Sequence, residues 1–467
     1  MPISINPFNG QEFANVSLIS DQEARQKIDL AHQTQKTWKK LPLDEKSRLM
    51  NNLIQILSSR KNQFATLISN EMGMPISQSV GEVQKTIDLI DYYKQNAKKF
   101  LADKIVKTDA KESYIKYDSL GVLLHIAPWN FPFYLALRPV IPALMAGNTV
   151  LLKHSSNVLQ TNQILQEIFL EAGFEKGVMQ SLLISSSQVE DIIKNPKIAF
   201  VTLIGSDTAG MEVAKTAGKV LKKTVMELGG SDAFIVCEDA DFNKVFPSAT
   251  LARLRNCGQS CNAAKRFLVQ KNVYKDFLHR LKQEFEEQKY GSPLHTATDI
   301  GPLAQEKSLL EVKRQVQESL DMGAKIITGG QGEMAKYSNN WLEFRNQHTS
   351  GYFYPATILS NIKPEMPVWK EEVFAPVAPV MSFETIQEAV DLANQSDYGL
   401  SVSLWTKDYE KAKSLVSEFE TGNVFINSMV RSNIAMPYGG VKKSGYGREM
   451  GPEGLLEFVN IKTVVIR

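Results

Sequence analysis

Apolar and polar positions change their rhythm twice along the chain. Between residues 20 and 100 the apolar side chains recur every three or four residues, and the pattern breaks near Pro42 and at Gly73-Met74-Pro75. That period puts one stripe of a helix against a core, so successive amphipathic helices are predicted there, starting at Asp21. From residue 121 short aliphatic and β-branched runs alternate with stretches of helical length. The runs are GVLLHIA (121–127), NTVLLK (148–153), MQSLLIS (179–185), AFVTLIG (199–205) and KTVMELGG (223–230). Strands separated by helices in this way form a parallel sheet with helices on both faces. A second alternation follows: DAFIVC (232–237), KRFLVQ (265–270), AKIITGG (324–330), PVAPVMSF (376–383), LSVSLWT (400–406) and GNVFIN (422–427). The predicted fold class is therefore α/β, with two doubly wound, Rossmann-like units and a cleft between them suited to a ligand. SYIKYD (113–118) and TVVIR (463–467) are short strands outside both series, expected to pair with each other or with another subunit.

One segment imitates a membrane span. Residues 121–147, GVLLHIAPWNFPFYLALRPVIPALMAG, are almost wholly apolar, but they contain four prolines with Asn130 and Arg138. A spanning helix would leave backbone groups unpaired and bury a cation, so a buried strand, turn and helix is expected instead. Charge adds a further exclusion. Lysine plus arginine number 53 against 51 acids, and the longest basic runs are pairs such as Lys98-Lys99. Neither nucleic acid nor an anionic membrane is an expected partner. Cys237, Cys257 and Cys261 are odd in number and no secretory leader is legible, which points to a reducing, cytoplasmic setting. The six histidines are scattered and no metal-ligand spacing is present, so no metal is expected.

Gly330-Gln331-Gly332-Glu333-Met334-Ala335 matches the dinucleotide fingerprint GxGxxA after a strand, but the polar run behind it makes a poor helix and reads as a surface turn. Gly205-Ser206 is a better anion site, because it stands where a strand ends and the helix GMEVAKTA begins, with unpaired N–H groups at the helix start. Cys261, in RNCGQSCNAAKR, is a candidate nucleophile that needs help from its surroundings to become a thiolate. Glu227 closes an apolar strand and is followed by two glycines, which lets other groups approach its carboxylate closely. Taken singly, Cys261 also fits an inert half-buried thiol, and Glu227 a salt-bridged strand end.

Together these segments resemble a known family. PWNFP (128–132), Lys153, the Gly205-Ser206 turn, ELGG (227–230), NCGQSC (256–261), EEVFAPV (371–377) and PYGGVKKSGYGRE (437–449) follow the order and spacing of the NAD(P)-dependent aldehyde dehydrogenase superfamily, over essentially the whole chain. The resemblance implies that Cys261 attacks the aldehyde carbon, that Asn130 and the Cys261 N–H form the oxyanion hole, and that Glu227 activates the water that hydrolyses the thioester. It implies contacts with NAD or NADP from Trp129, Lys153, Gly205, Ser206, Leu228, Glu372 and Phe374. Many members carry an acid where this chain has Ser156, in His154-Ser155-Ser156; that acid would repel the 2′-phosphate of NADP, so both coenzymes are expected to be accepted.

KHSSN and NAAKRF resemble the bacterial succinate-semialdehyde dehydrogenases of the Sad type. These hold the distal carboxylate of the substrate with two arginines and a serine, matched here by Arg138, Arg255 and Ser432. The implied substrate is a small aldehyde bearing a carboxylate, succinate semialdehyde first and glutarate semialdehyde next. A general aldehyde dehydrogenase, a CoA-acylating enzyme, a cysteine hydrolase and a catalytically silent protein on the same fold are the alternatives. The resemblance also divides the chain. Residues 1–100 and 120–229 would bind coenzyme and 230–436 would carry the catalytic unit. Residues 101–119 and 437–467 would form an arm and C-terminal segment that builds a homodimer or homotetramer.

Overall fold

The computed structural model describes residues 3–332, 334–348 and 350–467, so Glu333 of the GxGxxA match lies outside the described residues. Four helices fill the N-terminal region, Asp21–Trp38, Leu43–Ser59, Lys61–Met72 and Ile76–Phe100. The first opens on a capping box in which Ser20 and Glu23 satisfy each other's backbone N–H. The third ends at Gly73, whose φ of +79° supplies the left-handed cap that the Gly-Met-Pro break predicts. The sequence gives no sign of the additional break at Arg60, which has no proline or glycine.

The first sheet has the strand order Gly445–Tyr446, Lys223–Glu227, Ile198–Ile204, Val122–Ile126, Thr149–Lys153, Met179–Ser181. The last five of these are the predicted runs and are parallel. Strand Val122–Ile126 stands beside both Thr149–Lys153 and Ile198–Ile204, and the chain leaves it in one direction and returns on the other. A crevice opens at such a reversal, outside the carboxyl ends of the strands. Residues 121–147 form the buried strand and helix predicted for them, with every side chain of helix Tyr134–Met145 buried. Pro139 and Pro142 lie inside that helix. No helix among the described residues is long and apolar enough to cross a membrane.

The second sheet runs Lys325–Thr328, Thr357–Ser360, Val377–Phe383, Ala264–Gln270, Asp232–Val236, Ser401–Trp405, Asn423–Ile426. Its first pair is antiparallel and the rest are parallel. Two strands of these two sheets were not legible in the sequence. Thr357–Ser360 is only four residues long. Gly445–Tyr446 reads as part of a turn, yet it extends the first sheet by pairing antiparallel with Met226 and Glu227. The two strands expected outside both series pair with each other, Val459–Ile466 against Glu112–Ser119, and Lys104–Ile105 adds a third.

Candidate active site

Loops leaving the first sheet meet loops entering the second. Trp129 and Asn130 follow strand Val122–Ile126, Gly205 and Ser206 follow Ile198–Ile204, and Leu228 follows Lys223–Glu227. Across from them Cys261 precedes strand Ala264–Gln270, and Glu372 and Phe374 precede Val377–Phe383. These residues, with Glu227, line one cavity of about 270 Å³. A second cavity of about 390 Å³ is lined by Lys85, Arg138, Arg255, Arg431 and Ser432 together with Glu82, Tyr134 and Tyr438. Cys261 belongs to the walls of both.

The loop that carries Cys261 is strained. Asn256, Cys257 and Gly258 all have positive φ, at +52°, +54° and +74°. For a cysteine this costs on the order of 1–2 kcal/mol, and it persists because neighbours over-determine it. Gln78 Oε1 accepts from Asn256 N (2.8 Å), Asn256 Nδ2 donates to the Asn130 carbonyl (2.8 Å), and Arg253 Nη2 donates to the Gly258 carbonyl (2.8 Å). The Cys257 thiol donates to the Gly301 carbonyl at 2.9 Å and is buried. Asn130 is buried as well; one N–H of its amide donates to the Gln259 carbonyl at 3.0 Å, and the other remains for a ligand.

Burial pushes the Cys261 thiol up to about 11, with Lys265 and Arg138 pulling in the opposite direction. Lys265 is fully buried; its Nζ donates to the carbonyls of Ser260 (2.8 Å) and Cys261 (2.6 Å) and pairs with Glu372 Oε1 (2.8 Å). Glu372 also accepts from Gly230 N at 3.1 Å, and a Cβ at Gly229 would collide with its carboxylate. Trp129 and Phe374 meet edge to face with centroids 5.8 Å apart. Ser206 caps helix Asp207–Lys219, accepting from Ala209 N. This donor set suits a dinucleotide: aromatic and aliphatic walls, one acid able to take ribose hydroxyls, and a helix start for a phosphate. Lys153, half-buried at its strand end, and exposed Ser156 lie beyond this cavity's walls.

Glu227 is buried at 3% exposure. The PYGGVKKSGYGRE segment wraps it: Leu228 N donates to the Ser444 carbonyl, and a Cβ on Gly439 would come within 2.6 Å of Glu227 Oε1. Burial, then repulsion from Glu449, hold its carboxyl well above the usual range, opposed by Arg138 and Arg448. Arg138 Nε pairs with buried Glu449, and its Nη2 lies 3.8 Å from Glu227 Oε2. One cation thus stands between two acids.

Of the three residues matched to carboxylate binding, all line the larger cavity. Arg255 lies over the Phe131 ring at 5.0 Å, and burial pulls its guanidinium below its ordinary value. Ser432 accepts from Lys85 Nζ at 2.6 Å, whereas Arg138 is held by acids of the protein. Lys85, Arg431, Glu82 and Glu449 were not picked out from the sequence. Arg431 adjoins Ser432 and was open to notice, whereas Lys85 sits on an amphipathic helix with no motif around it.

Comparison with known proteins agrees with this geometry. Residues 3–464 match the model of the aldehyde dehydrogenase family. A probable succinate-semialdehyde dehydrogenase [NADP(+)] of Synechocystis sp. is 42% identical over 463 residues, covering 99% of each chain. The succinic semialdehyde dehydrogenase of Streptococcus pyogenes, solved with NADP+, superposes with a TM-score of 0.94 at 34% identity over 100% of both chains. Lactaldehyde dehydrogenase of Escherichia coli superposes nearly as well, with a TM-score of 0.93 at 31% identity over 99% of this chain and 95% of that one. Such similar likeness to enzymes named for different aldehydes means that the fold does not select the substrate. On its sequence, its strand order and the residues gathered around Cys261, the chain belongs to the aldehyde dehydrogenase family.

Proposed function

We propose that this protein oxidises succinate semialdehyde to succinate, using NADP. The observation that carries the reading is the position of Cys261 in the walls of two cavities, one cationic and one suited to a dinucleotide. Cations beside the thiol favour an aldehyde with a carboxylate at its far end. Arg255 and Ser432 are placed to bind it, with Arg138 adding its field from behind. The relatives named for succinate semialdehyde support this choice over glutarate semialdehyde.

The chemistry follows from the residues. Cys261 rests as a thiol, because burial raises it to about 11, so its proton must leave before or as sulfur attacks the carbonyl. Lys265 and Arg138 stabilise the thiolate. The oxygen charge that develops in the thiohemiacetal meets the second N–H of Asn130 and the Cys261 backbone N–H. A bound coenzyme would supply, at its nicotinamide, the acceptor for the hydride lost from the substrate carbon. Trp129, Leu228 and Phe374 would enclose it, Glu372 would hold its ribose, and Ser206 and Gly205 the phosphate region. Glu227 then takes a proton from the water that hydrolyses the thioester. That role argues against a CoA-acylating enzyme, in which a water-activating base would be idle. Because Glu227 is raised, hydrolysis should quicken as pH rises through its titration.

Ser156 offers no charge against a 2′-phosphate, and Lys153 brings a cation to the same strand end. Both features, with the relatives' use of NADP(+), favour that coenzyme. Residues 1–100 and 120–229 would bind coenzyme and 230–436 carry the catalytic unit, with 101–119 as the arm and 437–467 as a C-terminal segment that also closes over Glu227. Ile461 and Val465 are exposed on one face of the three-stranded sheet and Ile105 and Ile466 on the other, apolar surface suited to a second copy in a homodimer or homotetramer. A reducing, cytoplasmic setting accords with three free cysteines. Initial rates of NADPH formation with succinate semialdehyde, glutarate semialdehyde and butanal test the reading. Equal efficiency for butanal and succinate semialdehyde would overturn it.

A further inference from the structure

Two cations of the larger cavity that are not exposed, Arg255 and Lys85, have no acid within ion-pair distance among the described residues. Arg138 is taken up by Glu449 and Glu227. Arg431 is exposed and screened by solvent. Glu82, on the same helix as Lys85, accepts from the N–H groups of Phe133 (2.8 Å) and Tyr134 (3.0 Å), and burial raises it to about 8, so it is largely uncharged at neutral pH. Lys85 forms no ion pair within 4.0 Å among the described residues; its Nζ donates to Ser432 Oγ at 2.6 Å and lies 4.3 Å from the Tyr134 ring centre. An ammonium in such a place, facing Arg138 and Arg255, is costly until an anion joins it.

We propose that Lys85 is a specificity-determining residue, the ammonium that joins Arg255 and Ser432 in clamping the distal carboxylate. This rests on the carboxylate-bearing substrate proposed above. Lys85 reaches the cavity from helix Ile76–Phe100, Arg255 from the Cys261 loop and Ser432 from the segment after the last strand of the second sheet. Three separate elements thus fix the point at which the carboxylate must sit, and so the distance from it to the thiol. The hydroxyl of Ser432, which accepts from Lys85 and also reaches the Tyr134 oxygen, would turn its own O–H to donate to the carboxylate. Burial, then repulsion from Arg255 and Arg138, lower Lys85 to about 7. The groups facing it are Glu82 on its own helix, Tyr134 and Arg138 on the next, Arg255 and Cys261 on the loop, and Arg431 beside Ser432. A bound carboxylate raises Lys85 again, so binding at pH 8 draws a proton from solvent onto Nζ. Above pH 7 the Michaelis constant for the charged aldehyde climbs, because the free cavity has lost that proton.

The test compares wild type, Lys85→Met and Lys85→Arg, with succinate and two aldehydes as probes. Lys85→Met should lower the efficiency ratio of succinate semialdehyde to butanal at least tenfold, mainly through the Michaelis constant, and Lys85→Arg should restore part of it. Calorimetry of succinate binding at pH 8, in two buffers of different ionisation enthalpy, should show less proton uptake by Lys85→Met than by wild type. Glu82 responds in the same sense, so the difference between the proteins is the readout. An unchanged ratio with unchanged proton uptake would overturn the proposal, as would an equal loss on both aldehydes that Lys85→Arg does not relieve. If wild type itself shows no preference for the charged aldehyde, the substrate reading fails before Lys85 is at issue.

Discussion

The two cavities that meet at Cys261 are built in opposite ways. The larger is a cage of long charged side chains drawn from four parts of the chain, in which acids and bases shift one another's protonation. The smaller is made largely by backbone and rigid rings: a helix start, glycines that allow close approach, Trp129 against Phe374, and one acid held by Lys265. A dinucleotide common to many enzymes can be held by features intrinsic to the sheet's crevice. A particular aldehyde needs charges at chosen distances, and those are set by side chains that vary without disturbing the fold. Lactaldehyde dehydrogenase matches this chain in fold nearly as well as a succinic semialdehyde enzyme does, in keeping with that division.

Several substitutions separate the two sides. The largest effect is expected at their shared wall, where Cys261→Ala should remove NADPH formation with every aldehyde while coenzyme binding, followed by fluorescence quenching, persists. Turnover in that variant would end the covalent mechanism. Asn130→Ala would remove the proposed oxyanion donor and should cost roughly 10²–10³-fold in kcat for charged and uncharged aldehydes alike. A loss confined to one of them would move Asn130 from the reaction to substrate selection. Arg255→Leu acts on the cationic side and should reduce the preference for succinate semialdehyde over butanal about ten- to a hundredfold, the value of one charge-assisted hydrogen bond. A preference left intact would show that Arg255 serves the loop instead.

Glu449→Gln tests the acid pair behind the cations. Glu449 repels the charged form of Glu227 and so raises it; without that charge Glu227 ionises more readily, and the acidic limb of the kcat–pH profile should move to lower pH. A limb that stays put, or moves up, would uncouple the two acids. Ser156→Glu, on the coenzyme side, should have the smallest effect, a several-fold shift of preference from NADP toward NAD with no change in aldehyde selectivity.

Much of this molecule was written locally. The five parallel strands of the first sheet, the helix breaks at Pro42 and Gly73, and the Ser206 cap depend on near neighbours in sequence, through side-chain period, proline and glycine. Cys261 and Glu227 stood out within their own short runs, whereas Asn130, Glu372 and Phe374 were legible only through the resemblance of their motifs to those of the family. Electrostatic partnership was not legible. Arg138 matches a carboxylate-binding position, yet Glu449, more than three hundred residues on, occupies its guanidinium. Lys85 and Ser432 are 347 residues apart and 2.6 Å from donor to acceptor. Strand Gly445–Tyr446 exists because Met226 and Glu227 offer it an edge. Short-range preferences choose helix, strand and turn. The charge state and partner of a buried side chain depend on whatever the folded chain brings within a few ångströms, and only the tertiary structure decides that.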